Sequence, residues 1–253
     1  PDDKKVFLEL KAGTASEAQV GFSLNTLMRM MESYYRKPVI LLLDEYDVPL
    51  AKASSNGYYK EMLSVIKGMM STALKDNPFL KFAIITGCLK IAKESIFTGL
   101  NNFKVCSITD SDFDEAFGFI DSEVKSILQY YGQETHYTEV KEWYDGYRFG
   151  KADVYCPWDV LNYCRDLLKD EQAQPKNYWL NTSGNDVIEH FIDSVNGQQT
   201  LTKIELERLI SGEIVQKEIN EFITYKELYN TSENLWSTLF MTGYLTQRGK
   251  ADG

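Results

Sequence analysis

Apolar residues recur along this chain with two different periods, and the places where one gives way to the other mark its elements. Leu24, Leu27, Met28, Met31 and Tyr35 follow Ser23 at helical spacing, which predicts an amphipathic helix capped by Ser23 and running to about Tyr35. Pro38 stops it. Val39 to Leu43 is then apolar without alternation, the pattern of a strand inside a parallel sheet covered by helices on both faces. Helical spacing returns with Tyr59, Met62, Leu63, Ile66, Met70, Ala73 and Leu74, Asn77-Pro78 breaks it, and Phe79 to Ile85 is a second apolar strand ending in Thr86-Gly87. Strand, long helix and strand in about 45 residues make a parallel βαβ unit. Such a unit puts Asp44-Glu45 and Thr86 at one carboxyl edge of the sheet, where open α/β folds bind their ligands.

A short helix around Lys93 to Phe97, a loop through Asn101-Asn102 and a third strand, Phe103 to Ile108, complete the expected sheet. From Ser111 onward short helices alternate with aromatic-rich turns. Glu123 to Tyr131, Tyr137 to Trp143 and Trp158 to Leu168 are the main candidates, the last with Pro157 in its first turn. Trp143-Tyr144-Asp145-Gly146-Tyr147 reads as a helix end and tight turn packed by aromatics, and Asn181 to Asn185 offers caps for a helix from Val187 to Asp193. Helices at Ile204 to Ser211, after Thr224 and at Ser232 to Met241, followed by a strand-like Tyr244-Leu245-Thr246, have the order of a winged-helix unit. The expected layout is α/β: a sheet-based core over residues 1–110, a helical aromatic-rich region over 111–199, and a winged-helix-like unit over 200–253.

Composition narrows the function classes. With 43% hydrophobic and 25% charged residues the chain can bury a sizeable core, and no stretch is rich enough in Pro, Gly or Ser to be a flexible linker. The net charge of −10 is spread over the chain, with 17 basic and 21 acidic side chains in residues 1–150 and 10 and 16 in the rest, so it gives no support to DNA binding. The acidic run Asp110, Asp112, Asp114, Glu115, Asp121, Glu123 reads as a solvated helix entry rather than a metal cage. Cys88, Cys106, Cys156 and Cys164 form no C-x-x-C pair and read as buried thiols in a reducing compartment, and neither His136 nor His190 stands at ligand spacing from a Cys. No stretch reaches the roughly 18 apolar residues of a membrane span and no signal peptide opens the chain, so the expected location is cytoplasmic.

The candidate chemistry lies where the first apolar strand ends. Val39-Ile40-Leu41-Leu42-Leu43-Asp44-Glu45 has the form of the Mg²⁺-binding and water-activating strand of a P-loop nucleotidase. In that reading Asp44 holds the hydrated metal and Glu45 orients or deprotonates the attacking water. Thr86, one strand later on the same edge, is a polar sensor of the γ-phosphate or of that water. The bland alternative is a strand that simply ends in polar residues. Asp47 is either a further metal-side carboxylate or the cap of the turn before Pro49, Asn101 and Asn102 are either polar contacts to the nucleotide or an αL turn, and Lys90 and Lys93 are either phosphate partners or surface lysines. No G-x-x-x-x-G-K-[ST] loop occurs in the chain.

Five ordered blocks carry a resemblance. They are Val39 to Leu50 (VILLLDEYDVPL), Thr86 to Phe103 (TGCLKIAKESIFTGLNNF), Trp143 to Gly150 (WYDGYRFG), Cys156 to Tyr163 (CPWDVLNY) and Tyr178 to Asn185 (YWLNTSGN). Together they resemble the bacterial AAA-ATPase-like family, from about Phe7 to Thr246. The resemblance implies a partial P-loop NTPase parallel sheet with flanking helices, then a helical and winged-helix-like region, in a protein commonly fused at its carboxyl side to a PD-(D/E)XK nuclease-like domain. It carries the acidic Walker B pair to Asp44 and Glu45 and the strand-end sensor to Thr86, with ATP and Mg²⁺ as the expected ligands. The family's amino-terminal phosphate loop has no counterpart here, and Pro1 is not an initiating Met, so a piece of a longer protein is expected. In related sheets the phosphate-loop strand lies beside the sensor strand, which predicts that Phe79 to Ile85 has an edge not paired with Phe103 to Ile108.

The leading expectation is therefore the metal-and-water half of an ATPase that drives or regulates an effector or nuclease-like domain, with ATP, such a domain and a second copy of the chain as its expected partners. Its rival is a degenerate, non-hydrolytic scaffold that keeps the fold. A metal-dependent nuclease built from Asp44, Glu45 and Asp47 is a third reading, disfavoured because no Glu-x-Lys partner stands beside a strand.

Overall fold

The computed structural model describes residues 3–88, 103–179, 200–224, 227–228 and 231–248. The chain divides into two compact units, one of residues 1–104 and 220–230, the other of residues 105–219 and 231–253.

The first unit begins with α1 (Asp3–Ala12), α2 (Glu17–Gly21) and α3 (Ser23–Tyr35). Ser16 starts α2 through a reciprocal capping box, its hydroxyl accepting from Gln19 N at 3.3 Å while Gln19 Oε1 accepts from Ser16 N at 2.8 Å. Ser23 is not the cap of α3, as its sequence context suggested. It is the first helical residue, Phe22 holds the cap position without a side-chain bond, and α2 runs almost directly into α3. The helix stops at Arg36 in the left-handed conformation, φ 56°.

Strand β1 (Val39–Leu43), helix α4 (Val48–Ser55), helix α5 (Tyr59–Leu74) and strand β2 (Leu80–Ile85) follow in the expected order. The two strands pair in parallel, with Ile40 opposite Phe82, Leu42 opposite Ile84 and Leu43 opposite Ile85. Helix α2 packs on α5 with Gly21 facing Gly68, where an added Cβ would meet the other backbone at an ordinary van der Waals distance, 3.5 Å from Gly68 to Gly21 Cα. Asn77 turns the chain from α5 into β2, bonding Ala73 O at 2.8 Å and Phe79 N at 3.0 Å. Two expectations fail here. The sheet face that presents Ile40, Leu42, Phe82 and Ile84 is exposed, Leu42 at 69%, so among the described residues only the other face is covered. Residues 103–107 form no strand, and β2 has β1 as its sole described partner. The expected helix at 93–97 and the loop at Asn101-Asn102 lie outside the described residues.

The second unit holds α6 (Asp121–Tyr131), a 3₁₀ turn (Glu134–His136), α7 (Tyr137–Tyr144), the antiparallel hairpin β3 (Asp145–Phe149) and β4 (Ala152–Tyr155), α8 (Pro157–Leu167), α9 (Thr200–Ile210) and α10 (Ser232–Met241). Its core joins Val124, Leu128, Val140, Val160, Cys164 and Leu167 with the rings of Tyr144, Tyr155 and Tyr163. Each buried phenol finds an acceptor: Tyr163 donates to Glu139 Oε2 at 2.7 Å, Tyr155 to Asp121 Oδ1 at 2.9 Å and Tyr144 to Lys176 O at 3.1 Å. In this core the tyrosine rings pack while their hydroxyls tie neighbouring segments together. All four tryptophans, 143, 158, 179 and 236, belong to this unit.

The hairpin replaces the tight turn expected at 143–147. Gly146 lies within β3, and the turn is made at Gly150, whose φ is 50°. The terminal Tyr244-Leu245-Thr246 forms no strand, although Thr246 Oγ1 accepts from Arg148 N at 2.9 Å. Helix α10 buries every residue from Leu235 to Phe240. The caps at 181–185 and the helix at 187–193 lie outside the described residues. The thiols also differ from expectation: all four are free, yet only Cys164 is buried, and Cys88 is exposed.

Candidate active site

Parallel pairing fixes the geometry of the candidate site. Leu43 stands opposite Ile85, so each strand reaches its end at the same level and residues 44 and 86 emerge side by side. The ladder extends one rung beyond the strands, with Thr86 N donating to Leu43 O at 2.9 Å and Tyr46 N donating to Thr86 O at 3.0 Å. The Thr86 hydroxyl donates to Asp44 Oδ1, which also accepts from Glu45 N at 3.1 Å. Asp44 and Glu45 are exposed. Of the residues singled out by sequence, Asp44, Glu45 and Thr86 are thus brought together, while Asn101, Asn102, Lys90 and Lys93 lie outside the described residues.

Glu45 has φ 52°, a left-handed conformation that costs a non-glycine residue about 1–3 kcal/mol. The bend it makes lets Val48 N donate to Glu45 O at 3.1 Å and starts α4, with Pro49 in the first turn. It also splits the acidic segment by exposure. Asp44 and Glu45 face solvent, whereas Tyr46 and Asp47 are buried, Asp47 at 1%.

Asp47 holds the N-cap position of α4, its carbonyl accepting from Leu50 N and Ala51 N at 3.0 Å. It makes no side-chain cap on α4, and its Oδ2 instead accepts from Cys88 N at 3.1 Å. Although Cys88 is exposed as a residue, partial desolvation by the surrounding loops, and after it the charges of Asp47, Glu45 and Asp44, push its thiol up. Sequence reasoning weighed Asp47 only as a metal-side carboxylate or a cap, and it missed Gly87 and Cys88 as parts of this site.

Among the described residues no group of three or more His, Cys, Asp or Glu side chains is placed to hold a metal ion, which leaves the three-carboxylate nuclease reading without a centre. Mg²⁺ in phosphoryl-transfer sites usually keeps several waters and takes one or two carboxylates together with substrate phosphates. An exposed Asp44 carboxylate with the Thr86 hydroxyl beside it fits that smaller demand.

The acids of the second unit serve structure. Asp110 Oδ2 accepts from Ser107 N at 2.8 Å, Asp114 Oδ2 from Lys151 N at 3.0 Å and Glu123 Oε2 from Ile120 N at 3.0 Å. Lys125 and the hydroxyls of Tyr137 and Tyr155 hold the Asp121 carboxyl well below the usual range.

Comparison with known proteins bears on the first unit above all. Residues 3–97, which span the βαβ unit and the acidic strand end, match the family described as predicted AAA-ATPase, AAA-ATPase-like. Over 157 residues the chain is 27% identical to an uncharacterized protein in the vnfD 5′ region of Azotobacter chroococcum mcd 1, covering 62% of this chain and 29% of that protein. The chain therefore spans less than a third of that relative's length. No solved structure matches. What the chain resembles, in the stretch that bears Asp44, Glu45 and Thr86, is an ATPase-like core.

Proposed function

We propose that this chain supplies the Walker B and sensor half of an ATP-hydrolysing P-loop core. The observation that carries the reading is the hydrogen bond from Thr86 to Asp44 at the shared carboxyl edge of two parallel strands. In this reading Asp44 holds Mg²⁺, which supplies charge neutralisation across the phosphates, and Thr86 fixes the rotamer of Asp44 from the neighbouring strand. Glu45, free of the ladder and open to solvent, is the base that orients the attacking water.

This reading requires a phosphate-holding loop that residues 1–253 do not contain. Its strand would pair with the free side of β2, and its flanking helices would cover Ile40, Leu42, Phe82 and Ile84, since parallel sheets are buried on both faces. Asn101 and Asn102 remain candidates for polar contacts to the nucleotide. A nuclease-like domain on the carboxyl side and self-association are the partners proposed for the whole protein, in the cytoplasm. DNA binding through α10 has no support, because that helix carries no Lys or Arg and is buried over 235–240.

The test uses the full-length protein. Glu45→Gln should bind Mg-ATP as the wild type does and lose turnover by about 10²–10⁴-fold, the range of a general base. Wild-type turnover in Glu45→Gln would reject the role of Glu45, and a wild-type protein that neither binds nor hydrolyses ATP would favour the non-hydrolytic scaffold.

A further inference from the structure

We propose that Asp47 and Gly87 form a latch that holds Thr86 in register with Asp44 and Glu45, making Asp47 a positioning residue of the site rather than a metal ligand. The catalytic part of this proposal rests on the ATPase reading given above.

The loop after β1 and the loop after β2 are fastened at three points. Thr86 donates its hydroxyl to Asp44, Tyr46 N donates to Thr86 O at 3.0 Å, and Cys88 N donates to Asp47 Oδ2 at 3.1 Å. The first two act on Thr86 itself, and the third holds the chain just beyond it. Asp47 is 1% exposed, and a carboxylate so placed is retained only where partners compensate its lost hydration. One of those partners is a backbone N–H, which draws the Thr86–Cys88 segment against the bend at Glu45.

Gly87 fits the same arrangement from the other side. A Cβ at this position would stand 2.6 Å from the Cδ1 and Cε1 atoms of Tyr46 and 2.7 Å from Asp47 Oδ1. Real Cβ contacts are not so short, so any side chain here would push the two loops apart. The Tyr46 ring is buried and cannot swing away without opening the core beneath it. Asp47 pulls the loops together, and Gly87 lets them meet.

A displacement of about 1 Å in a catalytic constellation can lower turnover by about 10²-fold, so loosening the latch should act on chemistry more than on nucleotide affinity. In the full-length protein Asp47→Ala should lower kcat by about 10–100-fold with KM for ATP within about threefold. Asp47→Asn keeps an acceptor oxygen in the same volume and should retain kcat within about threefold of wild type. Gly87→Ala should reproduce the kcat loss without removing a polar group, and the double variant should lose little more than the worse single one. Hydrogen exchange at the Cys88 amide reads the latch directly and should quicken at least about tenfold in Asp47→Ala but not in Asp47→Asn.

Unchanged Cys88 exchange in Asp47→Ala would show that no latch exists. Faster exchange with wild-type kcat would show a bond without a positioning role, and a rise in KM alone would assign Asp47 to nucleotide binding. Should Asp47→Ala fail to fold, Gly87→Ala and Asp47→Asn carry the same comparison. A full-length wild type without ATPase activity would end the positioning role together with the ATPase reading, and Cys88 exchange would still accept or reject the latch.

Discussion

Glu45 is asked to hold a backbone conformation that glycine tolerates far better, at φ 52°. Strain of this kind persists where a side chain is needed at a fixed place, and here it turns the Glu45 carboxylate out to solvent while Tyr46 and Asp47 go in. Glu45→Gly should therefore leave the fold equally stable or up to about 1 kcal/mol more stable in urea unfolding, and abolish turnover in the full-length protein. A clear loss of stability would mean that the side chain, not the bend, is what the site relies on. The meeting of Asp44 with Thr86 was legible in the sequence, because two apolar runs of like direction must end on one edge and each ended in a polar residue. The inward turn of Asp47 was not. Its spacing before Pro49 suits a helix cap equally well, and only the packed structure shows an acid two positions from a proline facing the core.

At the level of elements, periodicity succeeded where one period ran long enough to be unambiguous. α5, α6, α8 and α10 lie within about two residues of the spans their apolar spacing predicts, as element ends usually do. It failed where the elements were short. β3 and β4 hold 5 and 4 residues, and the aromatics of β3 suggested packing at a turn rather than a strand. The decisive glycine was Gly150, not Gly146. With φ 50° and a Cβ position 2.2 Å from Asp110 O, it admits no side chain, so Gly150→Ala should cost about 2–4 kcal/mol in denaturant unfolding, against less than about 1 kcal/mol for Gly146→Ala in open space. Equal costs would remove Gly150 as the corner of the hairpin. The third strand expected at Phe103 to Ile108 misled for the same reason as β3: an apolar run of strand length states no partner.

Across the whole molecule, burial of tyrosine and cysteine sets a limit at alkaline pH. Burial pushes the Tyr144 hydroxyl up to about 12 from an ordinary 10.0 and the Cys164 thiol up to about 11 from 9.0, and Tyr155 and Tyr163 also rise. The folded state then keeps protons that the unfolded chain gives up. Stability from these groups is complete below about pH 9 and is lost as pH climbs through 9 to 12. Denaturant unfolding at pH 8, 10 and 11 should show that decline, and Tyr144→Phe should make it shallower; an unchanged slope would mean that Tyr144 does not ionise on unfolding. A practical consequence follows from where the indoles lie. Every tryptophan belongs to residues 105–219 and 231–253, so intrinsic emission reports the unfolding of the unit those residues form and not that of the unit that bears Asp44. Unfolding followed by tryptophan emission will therefore trace one unit, while far-ultraviolet ellipticity traces both.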